Sequence, residues 1–119
     1  MLSVCPYFHV HQPYRVKPYR VFDIGNDPEY FNHEVDGEDL NNRFIVEKVA
    51  EKSYRPMTAT LQHLLDTQPD FRFALSFSGT VLDQFAEYAP DVLEAFQRLV
   101  ASGRVEILAD TYHHSLAFF

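Results

Sequence analysis

The feature that most constrains the fold of this sequence is a regular alternation of strand-like and helix-like segments. Strand-type patterns occupy residues 4–11, 71–78 and 105–109, and apolar residues at helical spacing recur through 42–65 and 80–100. The order is strand, loop, helix, strand, helix, strand. Strands that alternate with helices pair in parallel through right-handed crossovers, so the sequence predicts an α/β fold with parallel strands.

The first strand divides its residues between a chemical face and an apolar face. Alternate side chains share one face of a strand, which groups Cys5, Tyr7, His9 and His11 against Val4, Phe8 and Val10. Pro13 cannot continue the hydrogen-bond ladder, so the strand ends near His11. Because the carboxyl ends of parallel strands build the site in α/β proteins, His11 is predicted to face it.

The second strand and the helices carry clear boundary signals. Within residues 71–78, large apolar side chains alternate with small or polar ones, and the small face suits a crowded barrel interior. Asn41 or Asn42 is predicted to cap the first helix, which Pro56 must kink or split. A further helix starts at Thr80 and reopens at Pro90, and Gly103 is predicted to end it.

Length sets a limit on the fold. The chain has 119 residues and ends in the apolar run 116–119, whereas a closed β/α barrel needs upwards of roughly 200 residues. We therefore expect residues 1–119 to be an N-terminal fragment of one barrel domain. The alternative is that the last residues dock on a small three-stranded core. Open sheet edges also make self-association physically reasonable.

Composition excludes several classes of partner. The net charge is −7 with only 10 Lys and Arg, which argues against binding to nucleic acid. No signal peptide is evident and no apolar run approaches the roughly 18 residues of a membrane span, so we expect a cytoplasmic protein with no membrane partner. Cys5 is the only cysteine, so no internal disulfide forms. No phosphate loop, dinucleotide fingerprint or paired-cysteine motif is present, and no cofactor is predicted.

Histidines and an aspartate gather at the predicted strand ends. His9 and His11 form a His-x-His pair on one strand face, a spacing at which two imidazoles can reach one metal ion. Asp110, His113 and His114 follow the third strand, and because adjacent residues project differently, at most one of these two histidines converges with His11. Two interpretations stay open, a metal site and a polar cleft lined by hydrogen-bonding groups. We favour the cleft.

Glu106 is a carboxylate inside the apolar strand 105–109. Burying an unpaired charge costs several kcal/mol or forces its protonation, so Glu106 needs a partner. If Glu106 points into the same interior as His11, the two side chains can hydrogen-bond. The alternative is an ion pair with Arg104 or Arg72 at the start of the strands.

Residues 14–42 are predicted to form a long loop over the carboxyl ends of the strands. The loop has no sustained period and combines charged groups with the aromatic residues Tyr14, Tyr19, Phe22, Tyr30 and Phe31. Aromatic faces suit the stacking of sugar rings, and equally suit a loop that folds its aromatics onto the protein. Residues 33–39 lack the ligand spacing of a calcium loop.

Short motifs occur in a fixed order along the chain: YFHVHQPYR at 7–15, FDIG at 22–25, KVAEK at 48–52, FSG at 77–79, QFAEYAP at 84–90 and VEILADTYHHSL at 105–116. In order and spacing they resemble the amino-terminal part of glycoside hydrolase family 57, in particular its α-amylase-like members. The resemblance spans nearly the whole chain. It implies a (β/α)7 barrel that acts on α-glucans, so an α-glucan or maltooligosaccharide is the expected substrate.

The resemblance also implies how residues are used. The family retains the anomeric configuration through a glutamate nucleophile and an aspartate acid/base on later strands, so both are expected beyond Phe119 and no catalytic residue is expected within residues 1–119. Substrate-binding roles are implied for His11, Gln12, Glu106, Tyr112 and His114. Departures from the family pattern are Asp110 and His113, where glutamate and tyrosine are expected, and Pro6, which replaces an aliphatic residue and removes a ladder hydrogen bond.

The leading hypothesis is therefore a part of a retaining α-glucan-active glycoside hydrolase that supplies substrate-binding strands and is inactive alone. A second hypothesis is a metal-dependent hydrolase or deacetylase of a related barrel type, with His9, His11, His114 and Asp110 as ligands. A third is an inactive remnant that self-associates through its open sheet edges.

Overall fold

A computed structural model describes residues 2–31 and 41–115 as an α/β arrangement with parallel strands. In chain order, the strands and α-helices are β1 (Tyr7–Val10), α1 (Asn42–Val49), α2 (Arg55–Thr67), β2 (Phe73–Phe77), α3 (Gly79–Tyr88), α4 (Pro90–Ala101) and β3 (Val105–Leu108). The described strands form a three-stranded sheet in the order β1-β2-β3, and both pairings are parallel. The predicted α/β class and parallel pairing are confirmed, and the sheet within the described residues is open.

The strands are shorter than the sequence predicts. β2 lacks Phe71, Arg72 and Ser78 of the predicted segment, and β3 ends one residue before Ala109. β1 begins only after Pro6, which has no N–H to donate to the ladder. The carbonyl oxygen of Pro6 still accepts a hydrogen bond from the N–H of Ala74 at 3.0 Å. Pro6 therefore delays the start of β1 but keeps one hydrogen bond to β2.

The register of the sheet sorts the side chains into two faces. Tyr7 pairs with Ala74 and His9 with Ser76 across the β1–β2 ladder, while Glu106 pairs with Ala74 across the β2–β3 ladder. Paired residues of neighbouring strands point to the same side of a sheet. One side therefore carries Tyr7, His9 and Glu106, and we call it the histidine face.

The opposite face of the sheet is the hydrophobic core. Val10 and Leu75 are 5% and 0% exposed there and belong to one core cluster with buried apolar residues of all four α-helices. The fully enclosed Phe85 of α3 lies edge-on to Tyr54 and parallel to Phe96 of α4, with ring centroids 4.9 and 5.9 Å apart. Burial of side chains of this size contributes roughly 1.5–3 kcal/mol each. The core thus holds the sheet against the helices and leaves the histidine face free of them.

The helix boundaries at Asn41 and Gly103 follow the predicted capping residues, whereas α3 begins with a different cap. The side chain of Asn41 accepts a hydrogen bond from the N–H of Phe44 at 3.0 Å and begins α1. Ser78 caps α3 through the N–H of Val81 at 3.4 Å, so the helix begins one residue earlier than the predicted start at Thr80. After α4, Gly103 takes a φ of +71°, a left-handed conformation that glycine adopts without a steric cost.

Pro56 interrupts the helical hydrogen bonding as predicted, although the chain stays helical around it. A π-helical segment, Ala50–Tyr54, connects α1 to α2, and the N–H of Arg55 donates to the carbonyl oxygen of Ala50, five residues back. Pro56 is the second residue of α2 and has no N–H to donate to the preceding helical turn. The wider π turn is the way in which the helix accommodates the proline.

The described part of the long loop is held by local contacts. Val16 and Phe31 form an antiparallel bridge, and Lys17 contacts Asp27 with 2.5 Å between Nζ and Oδ2. A single 3-10 turn spans Val21–Asp23. These contacts fix the described loop residues against one another, and the position of the whole loop over the strand ends stays a prediction.

Two predictions fall on residues outside the described ranges. Residues 32–40 include the segment compared with a calcium loop, and the apolar run 116–119 ends at Phe119. The docking of this run on a small core therefore stays a prediction. The placement of both catalytic carboxyl groups beyond Phe119 likewise stays a prediction, because no described residue tests it.

No helix in the described ranges is long and apolar enough to span a membrane. Within the same residues, β1 and β3 are the edges of the sheet. Self-association through these edges stays a prediction.

Asn42 ties the loop after β1 to the start of α1, which suggests a stability test. Its side chain is 1% exposed, accepts a hydrogen bond from the N–H of Arg15 at 2.6 Å and donates one to the carbonyl oxygen of Arg15 at 3.0 Å. We expect Asn42→Ala to lower the free energy of unfolding by about 2 kcal/mol, because two hydrogen bonds of a buried side chain to the Arg15 backbone are lost. Chemical denaturation measures this loss.

Asn26→Ala is the matched control, because Asn26 is exposed and its side chain donates a hydrogen bond to the carbonyl oxygen of Phe22 at 2.9 Å. The cost of this variant should stay within about 0.5 kcal/mol. Equal stabilities of the two variants would show that the Asn42 bridge does not hold the loop.

Candidate functional site

The candidate site lies on the histidine face where the strands end. His9 is the third residue of β1, and His11 follows its last residue, Val10. Ser76 lies in β2 opposite His9, and Ser78 follows β2 as the N-cap of α3. Asp110 comes two residues after the end of β3. The carboxyl ends of adjacent parallel strands therefore bring these groups to one edge, as the sequence predicts.

Two buried serines hold the two strand histidines. The Nδ1 atom of His9 lies 2.7 Å from Oγ of Ser76, and Nδ1 of His11 lies 2.7 Å from Oγ of Ser78. The Tyr7 hydroxyl also lies 2.7 Å from the Ser76 hydroxyl. Ser76 and Ser78 are 2% and 0% exposed, so each imidazole is hydrogen-bonded to a fixed part of the scaffold.

His114 completes a group of three imidazoles. Its ring centroid lies 4.2 Å from that of His9 and 4.8 Å from that of His11. The ring of His113 instead lies against Tyr112, with 4.7 Å between centroids. This confirms the prediction that only one of the two adjacent histidines converges with His11. The backbone φ of His114 is +52°, a left-handed conformation uncommon for residues other than glycine, and it turns the chain at this point.

Asp110 lies between His9 and His114. Its Oδ2 atom is 3.2 Å from Nδ1 of His114 and 3.6 Å from Nδ1 of His9, and its Oδ1 accepts a hydrogen bond from the N–H of Thr111 at 2.7 Å. Loss of hydration acts to raise the pKa of this carboxyl, but the Thr111 N–H and the two histidines outweigh it and lower the pKa. Asp110 is therefore the negative charge of the site at neutral pH.

His11 is held in its neutral form. Loss of hydration lowers the pKa of its imidazole below 6.5, and the charges of His114 and His9 lower it further, while Asp110 acts in the opposite direction. A neutral imidazole carries one donor and one acceptor nitrogen. Because Nδ1 is used by Ser78, the second nitrogen is the one that a ligand can reach.

The predicted set of metal ligands is only partly assembled. His9, Asp110 and His114 each offer one ligand atom, and these atoms lie within 4.8 Å of one another. His11 is not part of this group, so the His-x-His pair is not the core of the cluster. The reason is that the Ser78 hydroxyl holds the His11 ring, which lies 5.9 Å from the His9 ring.

The predicted partners of Glu106 are wrong. Glu106 does face the same side as His11, but it is level with Tyr7, four residues down the sheet from His11, a spacing of about 13 Å along the strand. Arg104 donates instead to the carbonyl oxygens of Leu65, Gln68 and Pro69. Among the described residues, no hydrogen bond or ion pair of the Glu106 carboxylate is found. It is exposed and needs no partner.

Gln12 is fixed by a residue that the sequence analysis did not single out. Gln12 is 9% exposed, and its backbone carbonyl oxygen accepts a hydrogen bond from Nε2 of Gln84 at 2.7 Å. Gln84 is fully buried and also donates to the carbonyl oxygen of Thr80 at 3.1 Å, while its Oε1 has no partner within the described residues. A glutamine on the buried side of α3 was the available signal, because buried polar groups are usually hydrogen-bonded.

Tyr112 lies at the rim of the site against the start of α3. Its hydroxyl donates a hydrogen bond to the carboxylate of Asp83, and its carbonyl oxygen accepts one from the N–H of Thr80 at 3.1 Å. The hydrogen bond to Asp83, followed by loss of hydration, raises the pKa of Tyr112. Its ring occupies the space beside Gly79, where an added Cβ would overlap Cδ2 of the ring. Gly79 therefore makes room for Tyr112.

This arrangement predicts that two separate substitutions can release the Tyr112 hydroxyl from Asp83. Asp83→Asn removes the carboxylate, and Gly79→Ala pushes the half-exposed ring outward. We expect both variants to lower the pKa of Tyr112 towards the ordinary value of about 10. Asp83→Asn removes the anion beside the hydroxyl, and Gly79→Ala moves the hydroxyl away from that anion. NMR titration of tyrosine labelled at the ring Cζ measures it.

Asp66→Asn is the matched control for this titration, because Asp66 is exposed on α2 and accepts a hydrogen bond from Gln62 of the same helix. It should leave the Tyr112 pKa unchanged. An unchanged Tyr112 pKa in both Asp83→Asn and Gly79→Ala would contradict the contact between Tyr112 and α3.

The sequence is similar to known proteins over most of its length. It is 36% identical over 111 residues to a protein named "Putative alpha-amylase" from Methanocaldococcus jannaschii, a match that covers 92% of this chain and 22% of the relative. It is 29% identical over 73 residues to an alpha-amylase from Pyrococcus abyssi, covering 61% of this chain and 10% of that protein. A 4-alpha-glucanotransferase from Thermococcus kodakarensis is also 29% identical over 73 residues, and this match covers 61% of this chain and 11% of that protein.

The family assignment rests on a longer match than these pairwise comparisons. The chain spans 22% or less of the length of these relatives. No solved structure matches it. The family profile of glycosyl hydrolase family 57 matches residues 7–119, from the first residue of β1 onward. The chain belongs to glycoside hydrolase family 57.

Proposed function

We propose that this chain is the N-terminal part of an α-glucan-active glycoside hydrolase and forms one wall of its sugar-binding cleft. The observation that carries the proposal is the histidine face itself. In a family 57 chain, it gathers His11, Asp110 and His114 at the strand ends. The names of the relatives, alpha-amylase and 4-alpha-glucanotransferase, support an α-glucan as the substrate.

The chemistry of these groups suits a sugar. Each sugar hydroxyl can donate and accept a hydrogen bond, so a wall that binds it needs both functions. A neutral His11 offers one free ring nitrogen, and the Asp110 carboxylate accepts hydrogen bonds. The exposed ring of Tyr112 offers an apolar face at the rim for stacking. Gln12, the neighbour of His11 in the chain, is 9% exposed and is proposed as a further binding residue.

Glu106 belongs to the proposal at a separate position. It lies on the same face as His11, about 13 Å away along the strand direction, so the two side chains would contact different parts of a bound oligosaccharide. Its exposed carboxylate is free to accept hydrogen bonds from sugar hydroxyls.

The bond-breaking groups are proposed to lie beyond Phe119. Retaining hydrolysis needs two carboxyl groups about 5–5.5 Å apart across the glycosidic bond, one as nucleophile and one as acid/base. Asp110 and Glu106 are too far apart along the sheet to form that pair, since Asp110 comes four residues after Glu106. We therefore assign substrate binding, and no catalytic step, to residues 1–119.

A binding measurement tests the sugar-binding wall. We expect the chain to bind a maltooligosaccharide weakly, and His11→Ala to weaken binding about fivefold to tenfold, on the order of 1 kcal/mol, because one hydrogen bond to the sugar is lost. NMR titration with the oligosaccharide detects affinities in this range. His63→Ala is the matched control, since His63 is exposed on α2, away from the sheet.

The same preparation tests the absence of catalytic groups. Incubated with starch, the chain should release no reducing sugar. Sustained release that is lost in Glu106→Gln would contradict the proposal that catalysis lies elsewhere. No shift of the histidine-face resonances at millimolar oligosaccharide would contradict the proposal that this face binds sugar.

A further inference from the structure

We propose that His9, Asp110 and His114 form a binding site for a divalent transition-metal ion, with zinc as the ion that fits best. This site goes beyond the proposed sugar binding and does not depend on it. It rests on the positions of three side chains that the fold brings together from β1 and from the turn after β3.

The distances are close to those of a metal centre. Ligand atoms about 2.0–2.1 Å from a tetrahedral zinc ion lie roughly 3.3–3.4 Å from one another. Oδ2 of Asp110 is 3.2 Å from Nδ1 of His114 and 3.6 Å from Nδ1 of His9. The whole set of ligand atoms lies within 4.8 Å. The side chains of His9 and His114 are 28% and 38% exposed, which leaves their rings room to turn towards one ion.

The charges around the cluster also favour a cation. The rings of His9 and His114 lie 4.2 Å apart, with His11 4.8 Å from His114. Protonating all of these rings would place several positive charges beside a single carboxylate, and like charges this close repel. One ion held by neutral imidazoles needs no protons on them and keeps Asp110 as its counter-charge.

The scaffold around the proposed ligand on β1 can release His9 to an ion. The Ser76 hydroxyl is 2% exposed and holds Nδ1 of His9, and the Tyr7 hydroxyl is its second partner. If the ion takes Nδ1 of His9, Ser76 keeps the hydrogen bond to Tyr7, so no buried polar group loses its last partner.

The donor set selects the class of ion. Two imidazoles and one carboxylate suit zinc and related transition metals, whereas Mg²⁺ and Ca²⁺ prefer oxygen ligands throughout. Three protein ligands leave a fourth position for water or another small ligand, as in zinc sites that keep an open coordination position. We therefore expect binding of Zn²⁺ and Co²⁺, and no competition from excess Mg²⁺.

Titration of the untagged, chelator-treated full chain tests the site. Calorimetry with Zn²⁺ alone and visible absorption with Co²⁺ alone should each give one ion per chain. Asp110→Asn and His114→Gln should each weaken Zn²⁺ binding on the order of 100-fold, because losing a residue that only orients a ligand already costs roughly 10–100-fold and these two are direct ligands. Circular dichroism of each variant establishes that it is folded.

His113→Gln is the matched control, because His113 is the neighbour of His114 in the chain but its ring lies against Tyr112. It should bind Zn²⁺ within twofold of the unmodified chain. Absence of stoichiometric Zn²⁺ binding would overturn the proposal, and so would equal losses in His113→Gln and His114→Gln. Sugar binding is measured separately without metal, so failure of either proposal is recognised independently of the other.

Discussion

The register of the central strand β2 is the constraint on which the rest of the structure depends. Leu75 points into the core, and Ser76 points to the histidine face, where it meets His9. A shift of the pairing by one residue would exchange these sides, placing a serine in the core and a leucine beside the imidazoles. The same register that buries the apolar side chains therefore positions the polar ones, so the core and the site cannot be specified separately.

Most of this division could be predicted from the sequence, because it follows from local periodicity. The alternation of large and small residues around Leu75 identifies the buried face of β2, and the histidines at two-residue spacing identify the polar face of β1. Asn41 and Gly103 mark helix ends for equally local reasons, since one supplies a side-chain acceptor and the other a left-handed residue.

The remaining features depend on distances between segments, which periodicity does not contain. That His114 rather than His113 meets His9 depends on the left-handed φ of His114, and histidine does not signal such a conformation strongly. The apolar residues around Glu106 indicate a buried strand and therefore a partner for its charge, but β3 is exposed along much of its length within the described residues. The π turn before Pro56 is likewise one of several ways to accommodate a proline.

The two halves of the site differ in how firmly they are held. His9 and His11 bond to serines that are almost completely buried, so their positions are set by the folded core. Asp110 and His114 belong to an exposed turn that is fastened mainly through Tyr112 to the start of α3. Ordering side chains on binding costs free energy, and that cost falls on the turn. Affinity for any ligand of this face should therefore be set by how well the turn is anchored at α3, while the strand histidines determine where the ligand lies.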